Sequence, residues 1–298
     1  MSGRPVEVFG TTFRNPILLA AGTAGFGREV AGIIDLSAIG GLVTKAVSPE
    51  PRQGNAAPRV AEAPGAMLNS VGLANPGLEA VRMTYLPWLR EHQPGLRVIV
   101  NVVGHTVDDF ITVVQGLSGE PGLAALELNV SCPNTEKGGV EFGADESVLR
   151  TLVQRARVGT SLPLVVKLSP VVPDPARLAT IAAEAGADGF SCVNTLPALL
   201  FDELAPHAAR LGNGTGGMSG PPLLPVGVRV TRIVSQATGK PVIGVGGVRT
   251  GRDAWQYLKA GASLVAVGTA ALADPRAPAR IARELAEILD REGAGATA

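Results

Sequence analysis

Cysteine, long apolar runs and net charge are all scarce in this 298-residue chain. Its two cysteines, Cys132 and Cys192, give no disulfide framework. They are also too few for an iron–sulfur cluster, which takes about four thiolates, so any cluster serving this protein sits on another chain. Twenty-six Lys and Arg balance 26 Asp and Glu. The basic residues are dispersed, so neither nucleic acid nor an anionic membrane is the expected partner. No window approaches the ~20 apolar residues of a spanning helix. The opening MSGRPVEVFG carries no apolar signal segment, and a cytoplasmic location is the expectation. No metal site is expected. With no low-complexity linker or charge block, residues 1–298 are expected to form a single domain.

What is present is a regular alternation of short β-branched runs with amphipathic segments. After an N-terminal hairpin (VEVF, then TTF), eight strands are read. They are PILLA from Pro16, GLVTK to Lys45, RVIVN to Asn101, AALELN to Asn129, PLVVK to Lys167, GFSCVN to Asn194, PVIGV to Val245 and SLVAV to Val267. EAGADGF and KAGASLV each end a helix at glycine and start a strand about three residues later, as short αβ loops do. Eight such units predict an α/β fold of the (β/α)8 TIM-barrel type rather than a doubly wound sheet. The connection from Leu196 to Pro222, after strand six, is a long insertion suited to a lid or docking element.

Five of the eight strands end in Lys45, Asn101, Asn129, Lys167 or Asn194. Singly, each has an ordinary explanation: Asn favours turns, and lysine snorkels to water. Together they fall at the end of a barrel where chemistry sits. Two lysines at one mouth repel unless something negative lies between them. Glu127, of the same parity as Asn129, is one candidate; an anionic ligand or cofactor is the other. Gly246 and Gly247 after strand seven, with Gly268 and Thr269 after strand eight, suit a phosphate grip. FMN is the leading cofactor for such a pair. MLNSVGLANPG, after strand two, adds Asn69, Ser70 and Gly72 to Asn129 and Asn194. Amides offer a donor and an acceptor in one plane, which complements a ring edge alternating N–H and C=O. Asn75, in NPG, reads as a turn residue.

Cys192, inside strand six, reads as a small buried hydrophobe. Cys132 lies past the end of strand four, between Ser131 and Pro133. Cations at the mouth would lower its pKa. None of His92, His105 and His207 is near it in sequence, which disfavours a Cys–His acyl transfer. Proton abstraction from a ligand held against a flavin fits better.

These stretches resemble the class 1 dihydroorotate dehydrogenases along essentially the whole chain. The matching motifs are TKAVSPEPRQGNAAPRV, MLNSVGLANPG, LELNVSCPN, VVKLSP, VNT, GGMSGP, GVGGV and VAVGTA, in order. The resemblance implies FMN across the barrel top, beside Ala21, Gly22, Lys45, Ala46, Asn101, Asn129, Lys167, Val193, Gly220, Gly246, Gly247, Gly268 and Thr269. It implies that dihydroorotate is held by Lys45, Asn69, Ser70, Val71, Gly72, Leu73, Asn129, Asn194 and Thr195. Cys132 would be the base, with Lys167 stabilising charge on the reduced ring and Lys45 pairing with a carboxylate or a flavin carbonyl. Many relatives carry Ser at position 21. A cysteine base separates class 1 from the membrane-linked class, which uses serine.

GTAGFGREV and VNTLPALLFDEL are similar to the NAD-linked (1B) branch. That branch implies a homodimer core and an iron–sulfur flavoprotein partner carrying FAD and [2Fe-2S]. A fumarate-linked (1A) enzyme and a dihydropyrimidine dehydrogenase acting on uracil remain as alternatives. So do a Schiff-base aldolase-type barrel and a scaffold without activity.

Overall fold

The computed structural model describes residues 4–131, 133–134, 140–205 and 207–295. Eight parallel strands close into a barrel: β1 Ile17–Leu19, β2 Gly41–Val43, β3 Arg97–Val102, β4 Leu123–Asn129, β5 Leu164–Leu168, β6 Gly189–Cys192, β7 Val242–Val245 and β8 Leu264–Val267. Each strand pairs with its sequence neighbours, and β8 pairs with β1 in the register Val265↔Ile17, Ala266↔Leu18. Side chains alternate between the two faces of a strand, and this divides the core. Leu18, Val43, Ile99, Ala125, Val165, Ile243 and Leu264 pack together inside the barrel. Ile17, Leu42, Val100, Leu126, Val166, Phe190 and Val265 pack outward against the helices.

The helices start where the sequence supplies caps. Thr106 and Asp109 form a capping box at Val107–Leu117, and Thr250 and Asp253 form another at Gly251–Lys259. Asp145 and Asp174 cap Glu146–Gly159 and Pro175–Glu184. Such caps are each worth about 1 kcal/mol. Gly239, at φ 64°, ends Leu224–Thr238 in the left-handed conformation that glycine adopts without steric cost. The final helix is Ala277–Gly295.

The N-terminal hairpin, Val6–Val8 with Thr11–Phe13, turns through Phe9 and Gly10, both at positive φ, as a two-residue turn of this hand requires. It closes the bottom of the barrel. Val8 and Phe13 join the interior cluster, and the Phe9 ring lies 2.7 Å from where a Cβ on Gly189 would fall.

Two connections differ from the simple repeat. Between β1 and β2 the only helical element is a single 3-10 turn, Leu36–Ala38, so the first unit lacks an α-helix. The connections after β2 and β6 are not plain loops. Val60–Ala63 and Ala66–Asn69 from the first join Gly216–Ser219 and Leu196–Ala198 from the second in a four-stranded antiparallel sheet. The predicted insertion after strand six is therefore half of a flap whose other half follows strand two.

Candidate active site

At its C-terminal end the barrel interior is two-sided. β7, β8 and β2 present Val245, Ala266 and Val43, and Ala20 follows β1 directly; all four belong to the apolar interior cluster. β3 to β6 present Asn101, Glu127, Asn129, Lys167 and Ser191, every one buried. Strand pairing sets these polar groups side by side: Asn101 opposite Glu127, Asn129 opposite Lys167, and Lys167 opposite Ser191. A planar ligand resting here meets hydrocarbon on one side and hydrogen-bonding groups on the other.

The charges in that polar half are compensated. Glu127 is 1% exposed, and its carboxylate accepts a 2.6 Å hydrogen bond from the Asn101 amide. The Lys167 ammonium lies 3.7 Å from the same oxygen, an ion-pair distance but too long for a hydrogen bond. Among the described residues its N–H groups make no hydrogen bond, which leaves them for a ligand. The Ser191 hydroxyl, fully buried, has no hydrogen-bond partner among the described residues. A buried orphan of this kind usually marks a missing ligand or water.

At the rim, Lys45 follows β2 by two residues, and its backbone N–H donates to Gly25 O at 2.7 Å. Burial pushes its pKa below the ordinary lysine value; Glu29 opposes that shift and Arg59 adds to it. Across the mouth, the Asn194 amide donates to Asn129 Oδ1 at 3.2 Å, and Thr195 N–H donates to Asn194 Oδ1 at 2.8 Å. Val193 is buried and donates to Val245 O. Asn129 and Asn194 thus orient each other.

The flap supplies the next layer. The Asn69 amide donates to Gly217 O across the sheet at 3.2 Å. The segment that follows is clamped by Asn55: its side chain donates to Ser70 Oγ at 2.8 Å, and its N–H donates to Val71 O at 3.1 Å. A Cβ on Gly72 would lie 2.5 Å from Asn55 N, so only glycine fits. Leu73 adopts φ 57°, and its carbonyl accepts from the Asn75 amide. Asn75 also receives Gly77 N–H and bonds Ser48, which is the turn role read for it.

Beyond β7, Gly246 and Gly247 adopt φ 122° and 72°. A Cβ on Gly247 would sit 2.6 Å from the backbone nitrogen of Leu224, so this glycine is needed for packing as well as for any ligand. Tyr257, fully buried, shares its hydroxyl proton between Val245 O at 2.9 Å and Gly246 O at 2.8 Å. Burial raises its pKa, which keeps it a donor. Tyr257 fixes the glycine turn and was not predicted as a site residue; within DAWQYLKAG it looks like any core residue of an amphipathic helix.

Gly268 faces room: a Cβ there would meet nothing nearer than 3.6 Å, and one on Gly22 would meet nothing within 4 Å. The Thr269 hydroxyl donates to Ser219 Oγ at 2.8 Å, tying the end of β8 to the flap. Gly220 adopts φ 102° beside the Ala66 backbone. Ala21 is half-buried and Ala46 buried.

Comparison with known proteins bears on this arrangement. The family model for dihydroorotate dehydrogenase matches residues 5–289. The chain belongs to the dihydroorotate dehydrogenase family. It is 44% identical over 290 residues to the protein of Cutibacterium acnes named dihydroorotate dehydrogenase B (NAD(+)), catalytic subunit, covering 97% of this chain and 94% of that one. Proteins of the same name from Desulforudis audaxviator and Bacillus thuringiensis are 45% and 44% identical over 288 and 293 residues, covering 97% and 98% of this chain and 93% and 94% of theirs.

Against the residues expected from the sequence, the structure makes two corrections or limits, agrees with the reading of Cys192 as a buried core residue, and does not describe Cys132. Asn101 and Lys167 are penultimate in their strands, while Lys45 and Asn194 lie two residues past theirs; of the five only Asn129 ends a strand. Glu127 is both a neighbour of Lys167 and a hydrogen-bond acceptor for Asn101, so Asn101 is already engaged. Cys192 points outward into the helix layer, where burial raises its pKa and leaves it inert. Cys132 lies outside the described residues.

Proposed function

We propose that this chain is the catalytic subunit of an NAD(+)-linked dihydroorotate dehydrogenase. As a single FMN-binding domain spanning residues 1–298, it oxidises dihydroorotate to orotate in pyrimidine biosynthesis. Family membership and the names of close relatives support the activity. The observation that carries the site is the buried polar half of the barrel mouth, with Lys167, Glu127 and Asn101 held inside and apolar residues opposite.

The mouth fits FMN. Among the described residues the Lys167 ammonium makes no hydrogen bond and Ser191 Oγ has no partner. Gly22 and Gly268 open onto free space that a side chain would fill. The residues that would hold the cofactor are Ala21, Gly22, Lys45, Ala46, Asn101, Asn129, Lys167, Val193, Gly220, Gly246, Gly247, Gly268 and Thr269. When bound, FMN supplies the hydride acceptor.

The chain's own residues do the rest. Asn69 to Leu73, Asn129, Asn194 and Thr195 present amide and backbone groups to the substrate ring, and Lys45 pairs with its carboxylate. Cys132 removes a proton from the carbon next to the ring carbonyl as the adjacent carbon gives up its hydride. The Lys167 ammonium stabilises the negative charge that arrives with that hydride; a preorganised donor of this kind is worth about 3–4 kcal/mol in other enzymes. The relatives' designation as catalytic subunits supports an electron-transfer partner. In this reading it carries FAD and [2Fe-2S] and docks on a homodimer core in the cytoplasm. No helix among the described residues is long and apolar enough to cross a membrane.

The carboxylate pairing assigned to Lys45 separates this substrate from uracil-type rings. Anaerobic dihydroorotate should bleach the yellow protein while dihydrouracil leaves it oxidised. Bleaching by dihydrouracil alone would move the assignment to the pyrimidine-reducing alternative.

A further inference from the structure

Glu127 stands out inside the barrel. It is the one acidic side chain among the described residues of the eight strands, and it is 1% exposed. Burying a carboxylate is costly unless it is paired. The neighbouring interior positions Val43, Ile99, Ala125, Val165 and Ile243 are filled with hydrocarbon. Packing alone therefore does not account for a glutamate at this position. Its partners are specific: the Asn101 amide at 2.6 Å fixes the carboxylate, and the Lys167 ammonium stands 3.7 Å away.

We propose that Glu127 is a positioning residue that anchors the Lys167 ammonium and moderates the positive field it projects onto the flavin, holding down the flavin's reduction potential. This rests on the reading that FMN lies at the barrel mouth. The physical basis is simple. In a low-dielectric interior the field of a lone ammonium is strong. A carboxylate behind it cancels part of that field at any point in front. Reduction by hydride adds negative charge to the ring system, so the unopposed ammonium would favour the reduced form. An electron carrier that must pass its electrons on to a partner gains from having that preference limited. The 3.7 Å separation is consistent with this role, because the pair is close enough to couple and too long to consume an N–H of Lys167.

The test is a spectroelectrochemical titration of FMN bound to the full chain, in wild type, Glu127→Gln, Glu127→Asp, Lys167→Met and the Glu127→Gln/Lys167→Met double variant. Glu127→Gln should shift the reduction equilibrium toward reduced flavin about tenfold, which for a two-electron couple is about 30 mV upward. Glu127→Asp keeps the charge but draws it back, and should fall between wild type and Glu127→Gln. Lys167→Met should lower the potential. In its background Glu127→Gln should still raise the potential, because the field of the carboxylate adds to that of the ammonium and does not depend on it. A carboxylate with only a structural role would leave the potential of both Glu127 variants at the wild-type value, and that result overturns the inference. So does a double variant in which Glu127→Gln leaves the potential where Lys167→Met alone sets it. Should Glu127→Gln fail to fold, an unshifted Glu127→Asp is enough to overturn it. A wild-type chain that holds no FMN at all overturns instead the reading on which the inference rests.

Discussion

Replacing Lys167 with methionine isolates the energetics of the buried pair. The substitution conserves length and hydrocarbon but removes the ammonium that faces Glu127 at 3.7 Å. The carboxylate, 1% exposed, keeps the Asn101 amide as its hydrogen-bond donor. Breaking a buried ion pair from one side costs about 3–5 kcal/mol, because the remaining charge is stranded. The long separation and the surviving amide bond place this case at the lower end, about 3 kcal/mol. With an unfolding entropy of about 2.1 cal/mol/K per residue, one kcal/mol shifts Tm by about 1.6 °C in a chain of 298 residues, so the variant should melt about 5 °C lower. Replacing both partners, Glu127→Gln with Lys167→Met, removes the stranded charge while Gln can still accept from Asn101. The double variant should return to within about 1 kcal/mol of wild type. The assay is thermal and urea denaturation of flavin-free protein, with the four proteins measured as a double-mutant cycle. If Lys167→Met melts with wild type, or the double variant falls as far as the single, the two charges are not coupled in the barrel interior.

Two further outcomes follow from the site. Burial lowers the Lys45 pKa, with Glu29 opposing the shift and Arg59 adding to it. Between that lowered value and the ordinary ~10.4 of an unfolded lysine, the unfolded chain binds the extra proton, so this group's contribution to stability rises with pH across the window. Orotate affinity should run the other way, weakening as pH climbs through the lowered Lys45 pKa, with proton uptake on binding measurable by calorimetry in two buffers. Affinity that stays flat until the ordinary lysine range would remove Lys45 from carboxylate binding. Tyr257→Phe deletes the hydroxyl that bonds Val245 O and Gly246 O; Val245 O also accepts from Val193 N–H, so the loss falls on Gly246. The expected cost is about 1–2 kcal/mol with weaker FMN binding, and an unchanged Tm and FMN affinity would show that the turn holds itself.

The barrel and its polar mouth were legible because both follow from short-range pattern. Each strand is a compact β-branched run, and period-two alternation puts Asn101, Glu127, Asn129 and Lys167 on the same inner face as Ile99, Ala125 and Val165. Strand ends shifted by a residue or two at Lys45, Asn101, Lys167 and Asn194, since hydrogen-bonded pairing, not residue type, decides where a ladder stops. The flap was not legible. LPA and GGMS have no strand-like alternation, and Gly217 pairs with Asn69 from a segment 148 residues away. Gly217 is required there because a Cβ would overlap Thr195 Oγ1, a contact no local window contains. The missing first helix has a similar origin: AAGTAGFGREVAG is glycine-rich, and Gly22, Gly25 and Gly27 all adopt positive φ.

The measurement that bears most directly on the proposed chemistry is single-turnover reduction of the bound flavin by dihydroorotate, followed anaerobically by stopped flow in wild type and Cys132→Ala. The yellow colour and FMN content should be the same in both proteins, with rapid bleaching in wild type and bleaching slowed by at least about a hundredfold in the variant, as loss of a general base requires. Bleaching at an unchanged rate in Cys132→Ala would contradict the assignment of the base, and a wild-type flavin that dihydroorotate leaves oxidised would contradict the activity itself.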